Sequence, residues 1–251
     1  MVTEWGVQQW LQVFEEQARM FRDAVGRADL TAPVPTCPGW TFTELTVHVG
    51  RFLQVVTGQL RSGSVEQQVR PEPAPEAPEP LAYLDEQLAV AREVLGATPA
   101  NRPVWTFSPT APRLAWVWHR RVAHELTIRR WDAQAALGDL VPLDRDLALD
   151  GVEEVLGTLL AARLLGDMPV AVSGNAAVVC EDAAQGWLVE FTPEQAPVVR
   201  LVPPGMPTDP DQGMVQAEVR GRASSVYLGL WGRIELPGRG DRGVLHALRV
   251  R

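Results

Sequence analysis

Apolar residues recur at three- and four-residue spacings through five stretches of the chain, and runs of β-prone residues broken by turn signals take over near its end. Between residues 3 and 27, Val7, Trp10, Leu11, Phe14, Ala18, Phe21 and Val25 share one face, which predicts an amphipathic helix behind a Thr3 N-cap. Pro33, Pro35 and Pro38 then exclude helix until Thr41-x-x-Glu44, a capping-box pattern that opens a second helix running to about Arg61. Its inward stripe is Leu45, Val49, Phe52 and Val56, and His48 falls on the same face. Residues 62–80 are acidic and proline-rich and read as a loop of polyproline character. A third helix is predicted over 81–96, with Leu84, Leu88, Val90 and Val94 or Leu95 inward. The long connection from Ala97 to Pro112 carries Trp105 and Phe107, and reads either as a lid over a pocket or as a surface loop anchored by its aromatics.

The run from Ala115 to Leu137 holds no Pro or Gly and predicts a fourth helix, with Trp116, Trp118 and Trp131 as packing residues. A fifth is predicted over 144–166. Beyond it, 168–174, 176–182, 186–193, 197–204 and 215–221 read as strands, 222–234 as a helix and 244–250 as a closing strand that contains His246. The pattern therefore divides into a helical bundle over residues 1–140 and an α+β domain over 141–251 with a mainly antiparallel sheet.

Composition narrows the function classes. The net charge of −8 and pI near 5.1 argue against nucleic acid or an anionic membrane as partner. No 18-residue apolar run and no basic leader are present, so the expectation is a cytoplasmic protein, monomeric or homodimeric. Cys37 and Cys180 stand far apart in no metal spacing and read as structural thiols. Every basic residue is arginine, which excludes lysine Schiff-base chemistry and matches a GC-rich genome. No Walker, GxGxxG, GxSxG or CxxC pattern appears.

The fourth helix carries the candidate chemistry. Arg121, Glu125, Arg129 and Asp132 follow at spacings of four, four and three, so they point the same way. On the surface they would form an ordinary salt-bridged face; in the bundle interior they would line a polar pocket. His124 borders that stripe, and His119 is out of register with it and expected to be exposed. A lone His48 on an apolar face reads first as a core histidine hydrogen-bonded to a backbone carbonyl or a carboxylate.

The residues Ala123, His124, Glu125, Arg130, Trp131, Asp132 and Ala133 resemble the Ala-His-Glu-x-x-x-His-Arg-Trp-Asp-Ala sequence of the mycothiol-dependent maleylpyruvate isomerase family. Pro38-Gly39-Trp40-Thr41 and Leu45-x-x-His48 are similar to that family's second helix and its entry. Gly186-Trp187, the Leu228-x-Leu230-Trp231-Gly232-Arg233 stretch and Gly240-Asp241 are similar to its C-terminal domain. The resemblance implies an actinobacterial home, a DinB-like four-helix bundle and a sterol-carrier-like second domain. It also implies a divalent metal such as zinc, bound by His48 and Glu125, with mycothiol as thiol cofactor. Arg129 stands where the family places a second histidine, and a guanidinium cannot serve as a ligand. Only a reoriented His124 or Asp132 would supply a third donor.

Two readings follow. One is an isomerase or thiol transferase with an altered metal site, acting on a small electrophilic, anionic substrate. The other is a metal-independent binding protein or enzyme that uses Glu125 as acid or base, Arg129 and Arg121 as carboxylate contacts and His48 as proton carrier. A fold retained without chemistry stays open beside them. Loss of the Glu125 carboxylate is expected to abolish any activity and leave the fold intact.

Overall fold

A computed structural model describes residues 5–70, 79–166, 171–203, 206 and 208–250. They form two compact units, one of residues up to 106 with 112–142, the other of 107–111 with 143 onward. No described helix is long and apolar enough to cross a membrane.

The first unit consists of four helices, α1 (Val7–Arg27), α2 (Phe42–Ser62), α3 (Pro80–Ala97) and α4 (Trp116–Leu137). In α1 the stripe of Trp10, Phe14, Ala18, Phe21 and Val25 is buried and faces α4. The expected cap Thr3 lies outside the described residues; Gly6 caps the helix, its N–H donating to Gln9 Oε1 at 2.9 Å. The Thr41–Glu44 capping box forms, with the Thr41 N–H donating to Glu44 Oε2 at 2.8 Å, and sets the start of α2. α2 packs on α3 and touches α4. Of the residues expected to face inward on α3, Val90 is only half-buried and Ala91 takes its place in the core.

α4 is buried on nearly every side, charged residues included. Such a helix survives in a core only where its polar groups pair with one another or with backbone. Arg130 shows the pattern: it donates to Gln17 Oε1 at 3.0 Å, Gln134 Oε1 at 2.8 Å and the Val141 carbonyl at 2.7 Å. His119, expected on the surface, is buried, its ring nitrogens 2.9 Å from the Ala115 carbonyl and 3.0 Å from that of Leu95. Two backbone acceptors replace the water that the sequence pattern assigned to it.

The bundle part of the connection between α3 and α4, residues 98–106 and 112–115, is anchored away from His48. Pro103 and Leu114 bridge, the Trp105 N–H donates to the Ser64 carbonyl at 2.7 Å, and Trp118 Nε1 donates to the Trp105 carbonyl at 2.8 Å. That anchors it at the far end of α2, about 20 Å along the helix axis from His48. Within the bundle these contacts match a loop anchored by its aromatics.

In the second unit α5 (Arg145–Glu154) runs through a π-helical turn at Val155–Leu159 into α6 (Leu160–Leu164). The π turn changes the backbone pairing. The Gly157 carbonyl accepts from Thr110 Oγ1 at 2.9 Å and the Thr158 carbonyl from Ser108 Oγ at 2.7 Å, which ties residues 107–111 to this unit.

Five strands follow, β1 (Gly174–Cys180), β2 (Gln185–Phe191), β3 (Val198–Val202), β4 (Ala217–Gly221) and β5 (Gly238–Gly240), with α7 (Ala223–Leu230) after β4 and α8 (Arg242–Ala247) after β5. The sheet order is β3-β2-β1-β4-β5, with β1 and β4 parallel and the other pairs antiparallel. Of the strand expected over 168–174, residues 168–170 lie outside the described residues and 171–173 are not strand. β5 escaped the sequence reading because a Gly-Arg-Gly strand carries no apolar alternation. The closing strand is also corrected: Asp241 caps a helix through the Val244 N–H at 2.9 Å, so His246 lies on α8.

Candidate functional site in the helical bundle

The site begins with a turn. Pro38 fixes the backbone after Cys37, Gly39 adopts φ +82°, and the Trp40 N–H donates to the Cys37 carbonyl at 2.9 Å. These are the features of a type II turn, whose third position requires a residue tolerant of positive φ. The turn sets Thr36, Cys37 and Trp40 against α4, about two helical turns before His48 in sequence.

On α4 the charged stripe is buried rather than solvated, with Arg121 4% and Glu125 6% exposed. Glu125 Oε1 accepts from Arg129 Nε at 2.7 Å and lies 3.1 Å from His48 Nε2; Oε2 accepts from Arg121 Nη2 at 3.2 Å. Arg129 Nη1 also donates to Asp132 Oδ2 at 3.3 Å and to Cys37 Sγ at 3.7 Å. Asp132 further accepts from Thr36 Oγ1 at 2.7 Å and from Cys37 Sγ at 3.3 Å. Trp40 covers the assembly, its ring 4.8 Å from that of His48 and 5.4 Å from the Arg129 guanidinium carbon, within cation–π range. The His48 side chain is 34% exposed and gives the cluster its open edge.

Arg121, Glu125, Arg129 and Asp132 alternate in sign and their charges cancel. Burial alone would push the Glu125 carboxyl up, but Arg129, the His48 contact and Arg121 outweigh it and hold the group well below the usual carboxylate range. Burial likewise disfavours the Arg129 cation, and Glu125 and Asp132 more than restore it. In the unfolded chain Glu125 titrates near 4.3. Its contribution to stability is therefore complete above that pH and is lost as pH falls through it toward the lower folded value. Thermal midpoints of the parent should drop more steeply below about pH 4.5 than those of Glu125→Gln. Superimposable acid limbs for the two proteins would remove Glu125 from the acid-sensitive groups.

The donor set does not fit a divalent metal. Both Glu125 oxygens already accept from guanidinium groups, and Arg129 holds the place beside Glu125 and His48 where a third ligand is needed. His124 does not complete the set: it is buried with its ring 5.5 Å from that of Trp10. Asp132 is engaged by Thr36, Cys37 and Arg129. Among the described residues no three His, Cys, Asp or Glu side chains are grouped to hold a metal ion. The structure thus brings together His48, Glu125, Arg129 and Arg121 as the stripe allowed, and adds Thr36, Cys37 and Trp40. The Pro-Gly turn before the second helix was the signal for these three, and periodicity cannot show which helix such a turn faces. Cys180, by contrast, is buried in the second unit with its thiol pushed up to about 12 by burial and Asp182, an unreactive state.

A four-helix bundle with a buried ionic cluster on its last helix, followed by an α+β unit built on a five-stranded sheet, defines the class of this protein. The family model for the mycothiol maleylpyruvate isomerase N-terminal domain matches residues 11–134, and that for the MDMPI C-terminal domain matches residues 146–248. The chain belongs to the mycothiol-dependent maleylpyruvate isomerase family. A crystal structure of the mycothiol-dependent maleylpyruvate isomerase superposes with a TM-score of 0.53 at 10% identity, covering 97% of this chain and 96% of the other. A histidine-to-alanine variant of that isomerase gives 0.51 at the same identity and coverage. At such identity these structures establish the shared fold alone. No curated protein matches the chain significantly in sequence.

Proposed function

We propose that this chain is a metal-independent member of its family, acting on a small electrophilic, anionic molecule at the edge of the bundle site. The observation that carries this reading is the double occupation of Glu125 by Arg129 and Arg121. A carboxylate so held is a fixed anion that orients His48, so Glu125 and Arg121 are positioning residues. His48, half-exposed and 3.1 Å from that anion, is the group placed to take and return a proton. Arg129 is placed to face negative charge developing beside it, and it already donates to one sulfur, that of Cys37. Such surroundings suit a thiol. Mycothiol, when bound, would supply the nucleophile that adds to a conjugated double bond and later departs.

The test measures loss of maleylpyruvate with mycothiol present, in metal-depleted buffer with and without a chelator, beside elemental analysis of the untagged protein. Turnover that is insensitive to chelator, absent in His48→Ala and accompanied by substoichiometric zinc is the expected result. One zinc per chain, or activity destroyed by chelation, would overturn metal independence. The complete internal satisfaction of the cluster favours a second reading, a binding protein without chemistry, which would show ligand-induced stabilisation but no turnover.

A further inference from the structure

A second candidate site lies in the α+β unit, where β5 and α8 flank an open cleft of about 510 Å³. Its wall carries Arg239, Arg242, His246 and Arg249, with Glu235 as the carboxylate among the lining residues. The backbone builds this wall. Gly240 holds φ +97°, and a Cβ there would sit 2.3 Å from the Gln216 carbonyl oxygen, so only glycine lets β5 lie against β4 and turn into α8. Positions 242, 246 and 249 follow at spacings of four and three, and the Arg249 N–H donates to the His246 carbonyl at 3.2 Å, continuing the turn beyond α8. The three side chains therefore share one face.

These groups differ in how they are satisfied. Arg239 is neutralised by Glu218 Oε2 at 2.9 Å and Asp209 Oδ1 at 3.1 Å. Arg242, His246 and Arg249 make no side-chain hydrogen bond or ion pair among the described residues, and the Nε of Arg249 is buried without any partner. A buried polar atom of a cation with nothing to donate to is costly. That penalty vanishes if an anion accepts from it. Guanidinium groups match the planar oxygens of carboxylates and phosphates. The volume falls in the range of small-molecule sites and far exceeds one oxyanion, while Leu236 and Leu245 give it an apolar wall.

We propose that this cleft binds a small oxyanion-bearing molecule, with its phosphate or carboxylate group held between Arg242 and Arg249. The site is separate from the bundle cluster and does not depend on the function proposed for it. The full-length protein would be titrated with inorganic phosphate and with succinate against chloride at equal ionic strength, following the thermal midpoint and the heat of binding. Saturable stabilisation by either anion is expected, weakened roughly tenfold in Arg249→Gln and in Arg242→Gln by loss of a charge-assisted hydrogen bond. Arg242 is exposed, so its variant keeps the test valid if the Arg249 variant folds poorly. Tighter phosphate binding would assign a phosphate ester and tighter succinate binding a carboxylate. Absence of saturable binding by both anions, or unchanged binding in the Arg242 variant, would overturn the site.

Discussion

Glu125→Ala is expected to lower the unfolding free energy by about 3–5 kcal/mol, the usual consequence of removing one partner of a buried ion pair. The alanine leaves Arg121 and Arg129 in the bundle without the carboxylate that both contact, at 3.2 and 2.7 Å. Asp132 still balances Arg129, but Arg121 loses the Glu125 carboxylate and remains only 4% exposed. The sequence alone led to the opposite expectation, an intact fold, because it treated Glu125 as one isolated polar group. Chemical denaturation of the parent, Glu125→Ala and the double variant Glu125→Ala/Arg121→Met separates the two accounts. The double variant should recover part of the loss, since it removes the Arg121 charge together with the carboxylate it contacts. A single variant within about 1 kcal/mol of the parent would show that water or rearrangement relieves the guanidinium groups.

Arg129→His is expected to create or strengthen zinc binding. Arg129 Nε and His48 Nε2 converge on the same oxygen of Glu125, at 2.7 and 3.1 Å. An imidazole in place of the guanidinium would complete His, Glu and His, three ligands with one position left open. The substitution also removes a fixed positive charge. At about 4 Å two like unit charges repel by about 4 kcal/mol at an effective dielectric near 20, and 1.4 kcal/mol is a factor of ten, so affinity should rise roughly a thousandfold or more. Arg121 stays beside the other Glu125 oxygen and limits the gain. Elemental analysis and zinc titration of parent, Arg129→His and Arg129→Gln measure the effect. The Gln variant separates the removed charge from the added ligand. An Arg129→His protein that binds no more zinc than the parent would mean that His48, Glu125 and position 129 do not converge as described.

Much of this protein was legible in the order of its residues. Apolar spacing located α1, α2 and α3 because each buries one continuous face, and Trp10, Phe14 and Phe21 mark that face in α1 without reference to any other segment; the absence of Pro and Gly located α4, which is buried on nearly every side. The Thr41–Glu44 pair located the start of α2 because a capping box is a contact over three residues. The spacing of Arg121, Glu125, Arg129 and Asp132 showed that they share a direction, and the resemblance around His48 and Glu125 pointed to the family. Local periodicity was blind wherever a partner comes from another element. It could not bury the charged stripe, because the carboxylates and guanidinium groups become tolerable in a core only once they face one another there. It placed His119 in water, since the Leu95 carbonyl that satisfies it lies on another helix. It missed Cys37 and Trp40 as neighbours of Arg129, Thr36 as a partner of Asp132, β5 as a strand and α8 as a helix, because a turn's direction, a glycine strand's pairing and a short helix's stability are set by what lies beside them. Sequence determined which side chains could meet; tertiary packing decided that Glu125 meets two arginines, and this fixed charge balance disfavours a metal.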